Sequence, residues 1–327
     1  MPVLLPLLFA VLLAPPETVV TTTTTTVRQN AADNDPLVDT SANGKARVNY
    51  AAGVVKATGS GAPPAPGVAT SDAQARLMAL GAAKADALRN LAMMVSSVQV
   101  TSETRVKNFQ TESDIVETRL EATLKNARVI REDIGKDGTA TVTMELPLYG
   151  AGSVAEAVFP EVLTNTPSAP PAIGGGSWAG PEKPAIRLPR PVPTKPLPAL
   201  PEPGLTDESD TGPFTSVLID CRGLNISAIM SPKLMDDAGN EVYGTVRVTP
   251  EYAIAVGVVG YPRSMSEALR AERTGSRPLI IRAIGSADKY RFNPVISSRD
   301  AARVLAANGR DGFLEKTAVS FLVDPAK

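Results

Sequence analysis

The chain has 327 residues, enough for two domains, and its net charge of −1, without a basic block, argues against nucleic acid as a partner. It has no histidine and one cysteine, Cys221, which excludes Ser-His-Asp and Cys-His catalysis, histidine-ligated metal sites and an intramolecular disulfide. Asp and Glu total 34, so a carboxylate-dependent hydrolase stays open, but no spacing among them indicates a catalytic residue, a cofactor or a metal.

The amino-terminal part of the sequence predicts export from the cytoplasm. Residues 1–16 form an apolar run that is typical of a secretory signal segment and too short to span a bilayer comfortably. A disordered apolar tail is the alternative interpretation. Residues 17–46 are polar and threonine-rich, and their composition predicts a disordered tether. We therefore expect the protein in the periplasm or the outer membrane.

Residues 47–163 are predicted to form an α+β domain with the order β-α-β-α-β-β and with the helices on one face of an antiparallel sheet. The elements, in chain order, are a strand running into a glycine-rich loop, an alanine-rich helix at 71–92, a valine-rich strand at 95–109, a helix at 113–127 and a hairpin at 128–150. The hairpin turns at Asp137-Gly138, a dipeptide that suits a tight turn.

The alanine-rich helix is expected to lie across the sheet. Its predicted buried face is a row of apolar side chains at helical spacing that includes Leu77, Leu80, Leu88 and Leu91. Alanines and Gly81 leave the flanks of this face shallow, which allows a close approach to a flat surface.

Lys84 falls inside this apolar row, and three interpretations of it are open. Its aliphatic stem can cover apolar surface while the ammonium group reaches water. Alternatively, it forms an ion pair with a carboxylate of the sheet or of the second helix, such as Glu103 or Glu121. A catalytic lysine is the weakest interpretation, because the sequence offers no partner chemistry.

Residues 164–213 are proline-rich and are predicted to be a linker that acts as a polyproline II spacer. The P-x-x-P spacings within it also resemble recognition motifs for aromatic grooves. Residues 214–327 are predicted to form a second, smaller α+β domain. There Cys221 lies near the end of a strand as a small packed residue, and an acidic turn at 236–241 lacks the spacing of a calcium loop.

Four segments between about residues 50 and 150 form a recognisable combination. They are KATGSGAPP, SDAQARLMALGAAKADALRNLA, VSSVQVTSETRVKNF, and SDIVETRLEATLKNARVIRE followed by DGTATVTMELPLYG. In this combination the region resembles the Lpp-20 lipoprotein family. The segments VLIDCRGL and PVISSRDAARVL are similar to those of a domain that accompanies this module in some envelope proteins.

The resemblance implies a periplasmic or outer-membrane setting and brings no catalytic residues. Some relatives, of the FlgP and FlgT types, build rings or discs around flagellar motors. The sequence departs from the lipoprotein pattern because no cysteine follows the apolar run, so lipidation at the usual position is not expected, although membrane association stays open.

Three functions from different classes follow from these observations. The leading hypothesis is a non-enzymatic cell-envelope protein that acts by assembly, including self-association, or by binding protein partners, with a flagellum-associated structure as a narrower form of it. The alternatives are a periplasmic receptor for a ligand or for cell-wall polymer and, as the weakest, a carboxylate-dependent hydrolase.

Overall fold

The computed structural model describes residues 35–164 and 205–325. The predicted signal segment at 1–16, most of the predicted tether and most of the predicted linker lie outside the described residues. Within them the chain is a mixed α+β protein, as the sequence predicts, with an antiparallel sheet and helices in the first part and a second, smaller α+β region after it.

The first part contains five strands and four helices among its described residues. They are β1 (Val38–Thr40), β2 (Ala46–Asn49), β3 (Val54–Gly61), α1 (Asp72–Ser97), α2 (Val106–Glu112), α3 (Asp114–Lys125), β4 (Arg128–Ile134), β5 (Ala140–Pro147) and α4 (Val154–Thr164). The strands form one antiparallel sheet in the order β1-β2-β3-β5-β4, which leaves β4 at an edge.

Helix α1 crosses β3 and β5 at very short range. It begins at Ser71, whose hydroxyl accepts a hydrogen bond from the Gln74 N–H at 3.2 Å. A methyl carbon placed on Gly59 of β3 would lie 2.1 Å from the Ala87 nitrogen, and one placed on Gly61 would lie 2.1 Å from the Ala79 carbonyl oxygen. Only glycine in the strand permits this contact between the two backbones.

The predicted buried face of α1 is correct at Leu91 and partly correct at Leu80, but it is wrong at Leu77 and Leu88. The face that meets the sheet carries Ala79, Ala83 and Ala87, whereas Leu77 is 69% exposed and Leu88 is 37% exposed. The reason is steric, because the glycines of β3 create a shallow groove that fits alanine and has no room for leucine. The expectation that small residues allow a close approach to the sheet is therefore correct. The alanines, however, form the contact with the sheet and do not flank a leucine face.

The valine-rich strand predicted at 95–109 does not form. Helix α1 continues to Ser97, and the following residues make a tight loop with an isolated bridge between Gln99 and Arg105 before α2 begins. The alternating valines are fully buried all the same: Val98 and Val100 lie in the loop, and Val106 lies at the start of α2. The pattern therefore indicates burial and not a strand.

Two predicted boundaries also need correction. Strand β1 begins at Val38, inside the segment predicted to be a tether, and Leu37 before it is fully buried. At the other boundary, Thr206 lies inside the predicted linker but donates its N–H to the Ile280 carbonyl and accepts the Ile280 N–H on its hydroxyl. The fold therefore begins before the predicted end of the tether and resumes before the predicted end of the linker.

The second part contains seven strands and three helices among its described residues. They are β6 (Ser216–Asp220), β7 (Leu234–Asp236), β8 (Glu241–Tyr243), α5 (Pro250–Val256), α6 (Met265–Arg270), β9 (Pro278–Arg282), β10 (Gly285–Ser286), β11 (Pro294–Ile296), α7 (Ser298–Asp311) and β12 (Val319–Leu322). Strands β12-β6-β9 form a parallel sheet, and β10-β11-β7-β8 form a mixed one.

The two parts share one hydrophobic core, which contains residues from Leu37 to Leu163 and from Phe214 to Val323. Backbone hydrogen bonds join them: the Ala228 N–H donates to the Pro36 carbonyl at 2.9 Å, and the Met230 N–H donates to the Gln99 carbonyl at 3.1 Å. At a third point, the ring of Tyr149 packs directly on Gly257, in the space that a side chain at this position would fill. The second part is therefore packed on the first.

None of the helices at 35–164 and 205–325 combines the length and the apolar character that a membrane crossing needs.

Candidate interaction surface

Among residues 35–164 and 205–325, no strand pairs with the outer side of β4, which therefore presents an open sheet edge with exposed apolar side chains. It pairs with β5 on one side, and every one of its residues is exposed to solvent. Val129, Ile130 and Ile134 are between 39% and 46% exposed. The ladder shifts register between Val129 and Arg131, as in a β-bulge with Ile130 as the extra residue. An edge of this kind offers unpaired backbone groups to another strand, while its bulge and its charged side chains restrict which strand can pair with it.

The exposed leucines of α1 run beside this edge. Ile134 is level with Ala140 and Gly61 in the ladder, and Glu132 is level with Val142 and Gly59. Because Gly61 lies between Ala79 and Ala83, and Gly59 between Ala83 and Ala87, Leu77 lies about one helical turn beyond the level of Ile134, and Leu88 lies toward the Val129 end of β4. We call the set Leu77, Lys84, Leu88, Val129, Glu132 and Ile134 the α1–β4 surface.

Lys84 connects the helix to the edge strand. Its ammonium nitrogen lies 2.9 Å from a carboxylate oxygen of Glu132, and the two side chains are 47% and 39% exposed. The predicted partners Glu103 and Glu121 are wrong, although a carboxylate of the sheet is among the predicted interpretations. The pair is solvated, so it adds little to the stability of the fold.

The opposite face of the sheet is polar and carries its own ion pairs. Glu145 on β5 accepts Lys56 of β3 at 3.0 Å and Arg128 of β4 at 3.0 Å. The hydrogen bond from Lys56, together with the charge of Arg128, holds the pKa of the Glu145 carboxyl below its ordinary value. On β4 itself, Arg131 and Asp133 form a third pair on this face. The apolar groups of the edge thus lie on the α1 side.

The remaining residues singled out from the sequence lie in the interior. Leu91 is fully buried in the main core, and Leu80 is partly buried against the small cluster between α1 and β5. Cys221 is also fully buried, and burial raises the pKa of its thiol, as expected for a packed rather than a reactive cysteine. These three residues hold the fold, whereas Leu77, Lys84 and Leu88 form the surface.

Sequence reasoning missed an ion cluster at the carboxyl end of the parallel sheet. Asp220, at the end of β6, is 3% exposed and accepts two hydrogen bonds from Arg222, at 2.8 and 2.7 Å, and one from Arg282, at 3.0 Å. Burial alone would raise the pKa of Asp220, but these guanidinium groups outweigh it and hold the pKa below the ordinary value. The charged groups of this cluster bind one another. The sequence signal that could have indicated it is the segment Asp-Cys-Arg directly after an apolar strand.

A shallow groove of about 320 Å³ lies between the two parts of the chain. It is lined by polar side chains of the loop and helix at 99–108 and by Tyr290 and Phe292, whose rings stack with centroids 5.7 Å apart. Tyr290 is 56% exposed. Across the described ranges, no cluster of three His, Cys, Asp or Glu side chains could hold a metal ion.

Comparison with known proteins gives a match for the second part of the chain. No curated protein matches the chain. Residues 216–325, which include all strands and helices of the second part, match a family model described as the second domain of Treponema pallidum Tp0624. This part of the chain is therefore similar to that domain.

Proposed function

We propose that the protein is a non-enzymatic component of the cell envelope that acts by assembly or by binding a protein partner, and that the α1–β4 surface is where it does so. The observation that carries the proposal is the exposed apolar side chains of Leu77, Leu88, Val129 and Ile134 beside an open sheet edge. Exposed apolar groups gathered beside unpaired backbone are typical of an interaction site.

The envelope setting is supported by the sequence. The apolar run at residues 1–16 suits a secretory signal segment, and the region from about 50 to 150 resembles the Lpp-20 lipoprotein family. A role in a flagellum-associated structure is a narrower form of the same proposal, which rests on that resemblance. The absence of histidine from the sequence supports a role without catalysis.

Site-specific photo-cross-linking in cells tests the proposal. A photoreactive residue in place of Leu77 or Leu88 should capture a protein in the periplasmic or outer-membrane fraction. A photoreactive residue in place of Arg299, an exposed residue of α7 in the second part, serves as the matched control. Capture of no protein at either leucine, or a purely cytosolic location of the chain, contradicts the proposal.

A second candidate function is binding of a ligand or of cell-wall polymer in the groove beside Tyr290. An exposed aromatic ring among polar side chains can contact a sugar face while the polar groups bind hydroxyls. Sedimentation with isolated cell wall tests it. The Tyr290→Ala variant should no longer sediment with the cell wall. The control Tyr252→Ala, a change at an exposed tyrosine on α5, should still sediment with it.

A further inference from the structure

We propose that the α1–β4 surface pairs with a second copy of the same chain, through antiparallel pairing of β4 with β4 about a two-fold axis at Glu132. This inference rests on the proposed function and names the partner of the same surface. The sheet would then continue from five strands in one copy to ten across the pair.

The backbone of β4 is oriented for this pairing. The Gly135 N–H donates to the Thr139 carbonyl at 2.8 Å, which marks that pair as hydrogen-bonded. Because hydrogen-bonded and non-bonded pairs alternate in an antiparallel ladder, Asp133 and Arg131 bond to β5. Glu132 and Ile134 therefore point their N–H and C=O groups toward the open edge, where Glu132 can exchange two bonds with its own copy.

The charges of β4 are complementary to themselves in this register. Pairing about Glu132 places Arg131 of one copy opposite Asp133 of the other, twice by symmetry, on the polar face of the sheet. Opposite charges directly across a ladder stabilise it, and like charges destabilise it. Each Glu132 meets its symmetry copy on the other face, where the neighbouring Lys84 compensates the repulsion.

The same symmetry gathers the exposed apolar groups along the seam. A two-fold axis perpendicular to the sheet keeps both α1 helices on one side, so Leu77 and Leu88 of the two copies flank the new strand pair. Ile134 of each copy lies on the α1 side of the sheet, level with the bulge residue Ile130 of the other copy. Side chains that are exposed in the single chain thus lose contact with water together.

Charge-swap variants of the full chain test the pairing by sedimentation equilibrium. We expect the unmodified protein to form dimers. Arg131→Asp and Asp133→Arg each place like charges across the seam, so each should dimerise at least tenfold more weakly. An equimolar mixture of the two single variants restores both opposite-charge pairs and should recover dimers, as should the double variant. Thermal unfolding of each variant confirms that the fold is retained.

Recovery of dimers in the mixture would show that the charges pair between copies. Mixing cannot restore the Arg131–Asp133 contact within one copy, so loss of that contact alone would not be reversed. A chain that stays monomeric overturns the inference, and so does a dimer that is insensitive to both swaps. Slow hydrogen exchange at the Glu132 and Ile134 amides that is independent of concentration would place another segment of the same chain on the edge, and it overturns the inference as well. Cross-links from Leu77 to a different protein would still support the proposed function.

Discussion

Gly59 and Ala87 bring a strand and a helix into direct backbone contact. A methyl carbon on Gly59 would lie 2.1 Å from the Ala87 nitrogen, a distance that no Cβ can adopt, so the helix would have to move away from the sheet. The position of α1, and with it the level of Leu77 and Leu88 beside β4, therefore depends on the absence of a side chain at one residue of β3.

Gly59→Ala should lower the free energy of unfolding by about 3 kcal/mol or more, the upper end of the range for overpacked cores, because the clash is with backbone. Gly81→Ala is the matched control. Gly81 lies within α1, and a methyl group placed on it would have no atom within 4 Å, so its replacement should stabilise the helix by about 1 kcal/mol. Urea unfolding measures both, and a tolerated Gly59→Ala variant contradicts the close contact.

Leu91→Ala and Leu88→Ala distinguish the observed face of α1 from the predicted one. Leu91 is fully buried, so its truncation should cost about 2–5 kcal/mol, whereas Leu88 is 37% exposed and its truncation should cost about 1 kcal/mol. The comparison uses chemical denaturation of the full chain. Equal losses for the two variants would restore the face that the leucine spacing predicts.

Lys84→Met should change the free energy of unfolding by less than about 1 kcal/mol, because the ion pair with Glu132 is solvated on both sides. The change keeps most of the aliphatic stem. Denaturation in low and in high salt measures the effect, and the small difference from the unmodified protein should shrink as salt rises. A loss above about 2 kcal/mol would mean that Glu132 is left as an unpaired buried charge.

Asp220→Asn should lower the free energy of unfolding at pH 7 by about 2–3 kcal/mol, because Arg222 and Arg282 lose the anion that accepts their hydrogen bonds. The pKa of Asp220 is lower in the folded than in the unfolded chain, so its contribution is present above the unfolded pKa of about 3.9. It is lost as the pH falls through the folded pKa. The difference between variant and unmodified protein should therefore vanish in acid, and a difference that is constant with pH contradicts the assignment.

Cleavage between residues 165 and 204 should leave the two parts of the chain together. A specific protease site inserted there yields two fragments, which should co-elute in size-exclusion chromatography because they share one core and backbone hydrogen bonds. Tyr149→Ala, which removes the ring packed on Gly257, should weaken the association. Separate elution of two folded fragments would show that the parts are independent.

The sequence predicts best the elements whose signals are local. The hairpin at Asp137-Gly138 and the helix that ends at Lys125 form as expected, because turn chemistry and capping act within a few residues. The α+β class follows from these elements together.

What the sequence could not predict depends on partners that are distant along the chain. The buried side of α1 is set by Gly59, which precedes the helix and lies on a different element, and the exposure of Leu77 follows from it. That β4 lies at an edge is a property of strand order, which no pattern within β4 encodes. The α1–β4 surface could therefore be identified only from the three-dimensional structure.

The packing of the two parts has a further consequence for the segment between them. The described residues on either side of it, Thr164 and Leu205, belong to two parts that share one hydrophobic core. A segment closed in this way cannot set the distance between two domains, whatever conformation it adopts. Each residue added between Thr164 and Leu205 should cost only a small amount of loop-closure entropy.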